Sequence, residues 1–210
     1  MTSVSPQDEA GEARKRPAAP AAALGPVSAK TPRYKLTRPV FFVGFMGAGK
    51  TSVSRKLARS LGLVSIDMDT YIERREDCKV SQIFAEQGEA GFRRIETQVL
   101  QELAQRDPAL ISCGGGVVTT EENRRILKEA GSVVFLRVTA DEARGRISDL
   151  STRPLFNEIE EARARNAARL PLYQEVATII VDTSGKSVGA IAREVRQALI
   201  KEGTLCALPR

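Results

Sequence analysis

The stretch that most constrains this chain is VFFVGFMGAGKTS, residues 40–52. An apolar run, Val40-Phe41-Phe42-Val43, leads straight into Gly44-Phe45-Met46-Gly47-Ala48-Gly49-Lys50-Thr51, which satisfies the phosphate-loop pattern G-x-x-x-x-G-K-[ST]. Each residue type in it has a physical task. Glycines let the backbone curl until successive N–H groups converge on a polyphosphate, and the helix that follows adds its positive N-terminal end. Lys50 can reach the β- and γ-phosphates, and the Thr51 hydroxyl is a hard oxygen suited to Mg²⁺. Residues 52–58, SVSRKLA, read as the helix. Strand, loop and helix in that order imply a nucleoside triphosphate site built on Gly47, Ala48, Gly49, Lys50, Thr51 and Ser52.

Composition narrows the chemistry. A length of 210 residues with 42% hydrophobic content suits one globular domain with a substantial core, which must be largely aliphatic because tryptophan is absent. Histidine is also absent, which excludes Ser-His-Asp and Cys-His catalysis, histidine proton relays and most zinc sites. Cys78, Cys113 and Cys206 are scattered with no C-x-x-C pair, as expected of a reduced, cytoplasmic protein. No run is long and apolar enough to span a membrane.

Residues 1–38 form a separate regime, rich in Ala, Pro and Ser and without apolar periodicity, and read as a disordered arm. The arm carries seven basic residues against three acidic ones, so it holds most of the formal net charge of +6. That excess lacks interleaved aromatics, and a nucleic-acid partner is not expected. Prolines interrupt its short Ala-rich stretch, which argues against a secretory signal, and its early acids fit an organelle transit peptide poorly. The domain expected to fold spans residues 39–202, and residues 203–210 read as a flexible tail.

From Val40 onward strand and helix patterns alternate. Helices are expected over 51–61, 70–75, 80–86, 89–105, 121–130, 141–147, 159–173 (interrupted near Pro171) and 188–200. Strands are expected over 40–43, 63–66, 109–112, 133–136 and 178–181. Short continuous apolar strands between helices imply a parallel sheet covered on both faces. The expectation is therefore a five-stranded, three-layer α/β/α fold with ligands at the strands' C-terminal ends.

Those strand ends carry further signals. The second strand runs into Asp67-Met68-Asp69. Such a pair is either solvated or placed to serve Mg²⁺ and a substrate hydroxyl. In Gly88-Glu89-Ala90-Gly91-Phe92-Arg93-Arg94-Ile95-Glu96, Arg93 and Glu96 share a helical face, as a surface ion pair or as an oriented clamp. After the strand at 109–112, Gly114, Gly115 and Gly116 offer either a plain turn or bare N–H groups for a closely approaching ligand.

Taken in order, GFMGAGKT, DMD, GEAGFRRIE, CGGG, the Arg-Pro-Leu of STRPLF, and RLPLY resemble the shikimate kinases over residues 40–200. The resemblance implies a P-loop NTPase fold of the nucleoside monophosphate kinase type, acting as a monomer. It implies phosphoryl transfer from Mg·ATP to the 3-hydroxyl of shikimate. By the same resemblance Asp69 would hold the substrate hydroxyls and act as base, and Lys50 and Arg153 would serve the transferring phosphoryl group. Arg93 and Arg169 would clamp the carboxylate, with Glu96 orienting Arg93 and Gly114, Gly115 and Gly116 lining the pocket. Thr51 and, through water, Asp67 would hold Mg²⁺. Arg146 would pack on adenine, and residues 148–157 would form a lid carrying Arg153. Cys113 stands where many relatives carry Ala or Thr, a departure expected to affect the pocket. Three other readings stand beside this one: a different small-molecule kinase such as a gluconate kinase, an ATP-binding regulator without turnover, and nucleic-acid binding through the arm.

Overall fold

The structure, a computed structural model, describes residues 34–146 and 159–209. Its centre is β2 (Val40–Val43), whose four side chains are all fully buried. Their period of two splits them between faces: Val40 and Phe42 join one core, Phe41 and Val43 the other. Around β2 stand β3 (Ser65–Asp67), β4 (Leu110–Ser112), β5 (Ser132–Arg137) and β6 (Ile179–Asp182), in the order β3-β4-β2-β5-β6. Every pairing among them is parallel, as the buried apolar strands predict.

One face is covered by α1 (Lys50–Leu61) and α7 (Val188–Glu202), through Val53, Leu57, Leu61, Ile191, Val195 and Leu199. The other is covered by α3 (Val80–Ala104), α4 (Glu121–Ala130) and α6 (Ile159–Val176), through residues such as Val99, Leu100, Leu127 and Tyr173. Two short helices sit at the strand ends, α2 (Met68–Glu76) and α5 (Ala140–Gly145). The three-layer architecture expected from the sequence is the one observed.

The differences from expectation have physical causes. The helices expected at 80–86 and 89–105 run together as α3, yet Gly88 inside it is non-helical (φ 66°, ψ −175°), so the backbone does break there. Helix α6 passes through Pro171 without interruption. Its buried Tyr173 and Val176 lie beyond the proline, and their packing outweighs the lost backbone hydrogen bond.

The boundaries at 38 and 203 also need correction. Tyr34–Leu36 forms β1, antiparallel to β7 (Leu205–Ala207), with Leu36 and Leu205 buried against α1 and α7. Thr37 N–H donates to the Thr204 carbonyl at 3.0 Å, and Arg38 pairs with Glu202 at 3.1 Å. Residues 34–38 and 203–209 thus belong to the folded unit; residues 1–33 lie outside the described residues. Two three-residue strands so distant in sequence leave no local periodic signal, which is why the sequence alone hides them.

Candidate active site

The phosphate loop leaves β2 and turns through positive φ at Gly44 (139°), Gly47 (78°) and Gly49 (90°), conformations that favour glycine. At Gly47 there is a second constraint, because a Cβ there would fall 2.7 Å from the Ala143 carbonyl oxygen. Helix α5 therefore packs directly on the loop. Ala48 is fully buried, Ser52 is exposed on the first turn of α1, and that turn carries no acidic side chain to neutralise its positive end. Lys50 folds its ammonium back over the loop, donating to the Gly44 carbonyl at 2.9 Å and the Phe45 carbonyl at 3.1 Å.

Three oxygens meet beside it. The Thr51 hydroxyl donates to Asp67 Oδ2 at 2.8 Å and lies 3.0 Å from Ser112 Oγ. Thr51 has one proton, which Asp67 takes, so Ser112 must be the donor in the second bond. Asp67 Oδ1 meanwhile caps α2, accepting from Thr70 N–H at 3.1 Å. The carboxylate is fixed at both oxygens. Hydroxyl and carboxylate oxygens at a phosphate loop are the donor set Mg²⁺ takes when most of its other ligands are water and phosphate. The residues fit that ion, and Ser112 is a member that sequence reading missed.

The second half of the site forms where α2, α3 and the exit of β4 converge. Asp69, exposed on the first turn of α2, and buried Glu96 on α3 both reach over Gly114. A Cβ at Gly114 would sit 3.2 Å from Asp69 Oδ1 and 3.2 Å from Glu96 Oε1. Arg93 donates to Glu96 Oε2 at 2.7 Å and to Glu89 Oε1 at 3.1 Å, and its guanidinium covers the Phe92 ring at 5.4 Å. Burial pushes Glu96 above the usual carboxylate range, against the pull of Arg93. Burial also opposes the Arg93 charge, but Glu96 and then Glu89 outweigh it and raise that group further. The Arg93–Glu96 pair is thus largely buried rather than a surface contact.

From α6, Arg169 Nη1 donates to the Gly115 carbonyl at 3.3 Å, and the Tyr173 hydroxyl donates to the same oxygen at 2.5 Å. Burial pushes the Tyr173 phenol up to about 12, with Arg169 pulling the other way. The turn after the glycines is held from α4, where Asn123 Nδ2 donates to the Val117 carbonyl at 3.0 Å and Arg124 Nη1 to that of Val118 at 2.9 Å. Gly114, Gly115 and Gly116 therefore lie among Asp69, Arg93, Glu96 and Arg169, as the sequence motifs suggested. Cys113 is 2% exposed within the core, and burial, with Glu96 next, pushes its thiol up, so it is a buried side chain of low reactivity.

Arg146 caps the C-terminal end of α5 and is held by Thr183, donating to its hydroxyl at 2.9 Å and its carbonyl at 2.7 Å. It lies at the end of β6, on the α5 side of the phosphate loop. Arg153 and residues 148–157 lie outside the described residues. A separate cleft of about 360 Å³ opens between α5, α6 and the ends of β5 and β6. Its arginines are already matched, Arg137 to Asp182 at 3.0 Å and Arg163 to Asp141 at 2.7 Å, so it is no rival anion site. Among the described residues, no group of three or more Asp, Glu, Cys and His side chains is arranged to hold a metal. No helix among them is long and apolar enough to cross a membrane.

Known proteins share the sequence and the fold of this chain. The sequence profile described as shikimate kinase matches residues 46–200. The chain is 42% identical over 160 residues to the shikimate kinase of Bordetella avium, covering 75% of this chain and 77% of that one. It superposes on the shikimate kinase from Acinetobacter baumannii in complex with shikimate with a TM-score of 0.75 at 36% identity, covering 79% of this chain and 94% of the other. A gluconokinase from Sinorhizobium meliloti matches with a TM-score of 0.54 at 19% identity over 80% of this chain and 94% of its own, a likeness of fold alone.

Proposed function

The chain belongs to the shikimate kinase family, and from that premise we infer how its residues carry an ATP-dependent phosphorylation of the 3-hydroxyl of shikimate. The product is shikimate 3-phosphate, a step in aromatic amino-acid biosynthesis. The observation that carries the assignment of residues is the contact between the two halves of the site. A Cβ on Gly115 would lie 3.5 Å from Met46 N and 3.7 Å from the Gly44 carbonyl oxygen. The glycine turn of the acceptor side therefore abuts the phosphate loop of the donor side, which is the proximity that phosphoryl transfer requires.

In this reading Gly47, Ala48, Gly49, Lys50, Thr51 and Ser52 cradle the ATP phosphates, and Lys50 carries positive charge to the transferring group. Thr51 and Asp67 would hold Mg²⁺, and the ion would supply further charge neutralisation when bound. Arg93 and Arg169 approach from two different helices and grip the substrate carboxylate, while Glu96 keeps Arg93 turned toward it. Asp69 accepts hydrogen bonds from the hydroxyls and takes the proton of the 3-hydroxyl as its oxygen bonds to the γ-phosphorus and the bond from that phosphorus to the departing ADP breaks. Arg146 supports the adenine. Arg153 is assigned to the phosphates from the resemblance alone. The catalytic unit acts as a cytoplasmic monomer. Calorimetry on Asp69→Asn and Arg93→Ala tests the division of labour: shikimate binding falls in both while ATP binding stays within a few-fold. Loss of ATP binding with shikimate binding intact would reverse the assignment.

A further inference from the structure

We propose that Tyr173 is a positioning residue of the acceptor site, acting through the Gly115 carbonyl on Arg169 and on the seam between acceptor turn and phosphate loop. The inference rests on the reading above that Arg169 grips the substrate carboxylate.

Tyr173 is fully buried, and its ring stacks on Phe135 with centroids 5.1 Å apart. Packing of that ring would be served equally by phenylalanine. The hydroxyl is what needs explaining, since a buried phenol must find a partner, and this one finds the Gly115 carbonyl at 2.5 Å. Arg169 stands one helical turn earlier on α6 and donates to the same oxygen at 3.3 Å. A carbonyl has two acceptor positions, so the phenol and the guanidinium divide one oxygen between them. The phenol makes the shorter bond. With that position taken, the guanidinium meets the oxygen at its margin, and it also hydrogen-bonds the phenol itself.

Gly115 has no side chain through which packing could locate it. Its place is set by its backbone contacts: α6 on the carbonyl side and the loop atoms of Met46 and Gly44 on the other. Tyr173 thus acts at the point where one residue faces both substrates. Removing the hydroxyl leaves the carbonyl to Arg169 alone. The guanidinium then turns inward to complete the bond and gives up part of its hold on the substrate.

The test compares Tyr173→Phe with the unaltered protein, using shikimate and its methyl ester as acceptors. The ester removes the negative charge that Arg169 recognises. Tyr173→Phe should raise KM for shikimate about tenfold, the scale of losing one partner of a buried polar group, and leave KM for ATP within twofold. The preference for shikimate over the ester, taken as the ratio of kcat/KM values, should shrink severalfold, because the loss passes through the carboxylate clamp. A purely structural role would lower the melting temperature and affect both acceptors alike. An unchanged preference in a variant that still turns over shikimate would overturn the inference while leaving the family reading intact. Failure of the unaltered protein to bind shikimate would overturn both.

Discussion

Arg93 lies so close over Gly116 that a Cβ on the glycine would fall 2.3 Å from Nη2 and 2.6 Å from Nη1 of the guanidinium. The clamp and the turn therefore share one volume, and the clamp fits only because position 116 has no side chain. Gly116→Ala should displace the guanidinium from Glu96 and raise KM for shikimate at least tenfold, with ATP affinity nearly unchanged. Titration of the purified variant with each substrate checks this. Unaltered shikimate KM would mean that Arg93 has room to move without loss.

On the proposed reading, Lys50→Met removes a cation from the transferring phosphoryl group while retaining much of the side chain's bulk. Turnover should fall by about 10²-fold or more, the scale of losing one preorganised electrostatic stabiliser. Steady-state rates at saturating ATP and shikimate measure it. Turnover within a few-fold of the unaltered protein would remove Lys50 from the mechanism.

Ser112 donates to Thr51, which leaves the Thr51 hydroxyl donating to Asp67. Ser112→Ala should raise the Mg²⁺ concentration needed for half-maximal activity severalfold and leave KM for shikimate unchanged. Titrating activity against Mg²⁺ at fixed ATP separates the two effects. A shift in shikimate KM alone would place Ser112 on the acceptor side.

Glu96 gives a pH prediction with a definite sign. Burial raises it above its ordinary 4.5 in the folded state, so the folded protein holds this proton more tightly than the unfolded chain. Its contribution to stability is full below 4.5 and is lost as pH rises through the raised folded value. Melting temperatures of the unaltered protein and Glu96→Gln should therefore diverge as pH rises above 4.5, with the glutamine variant gaining in relative terms. The opposite trend would mean that the Arg93 pair outweighs burial. On the proposed reading, that cost is offset by Glu96 turning Arg93 toward the substrate.

The ribbon of β1 and β7 is a matter of stability rather than catalysis. Leu205 is 2% exposed against α1 and α7, and Leu205→Ala should cost about 2–5 kcal/mol. At about 2–4 °C per kcal/mol for a chain of this size, the melting temperature should drop by several degrees or more, with both KM values unchanged. An unchanged melting temperature would return residues 203–209 to the status of a tail.

What could be read in advance follows the range of each interaction. The phosphate loop, the carboxylates at 67 and 69 and the glycine triplet are local patterns, and each declares itself within a few residues. The backbone break at Gly88 was equally legible. Ser112, Thr183 and Tyr173 act only through partners far along the chain, at Thr51, Arg146 and Gly115. A serine ending a strand, a threonine in a loop and a tyrosine in a helix look ordinary until the fold brings those partners to them. Tyr173 even lies inside the RLPLY motif, where Arg169 drew attention because its charge announces a task and a buried hydroxyl does not. Glu96 was legible as a partner of Arg93 by helical spacing, but its burial depends on α3 packing against the exit of β4.

The most direct measurement of the central claim is ADP release by the purified full chain with Mg·ATP and shikimate, with gluconate, and with no acceptor. Mass analysis of the acceptor should accompany it. The account predicts rapid ADP release only with shikimate, matched mole for mole by shikimate 3-phosphate, and little release with gluconate or without acceptor. Equal ADP release in all three, or phosphorylated gluconate in place of shikimate 3-phosphate, would contradict it.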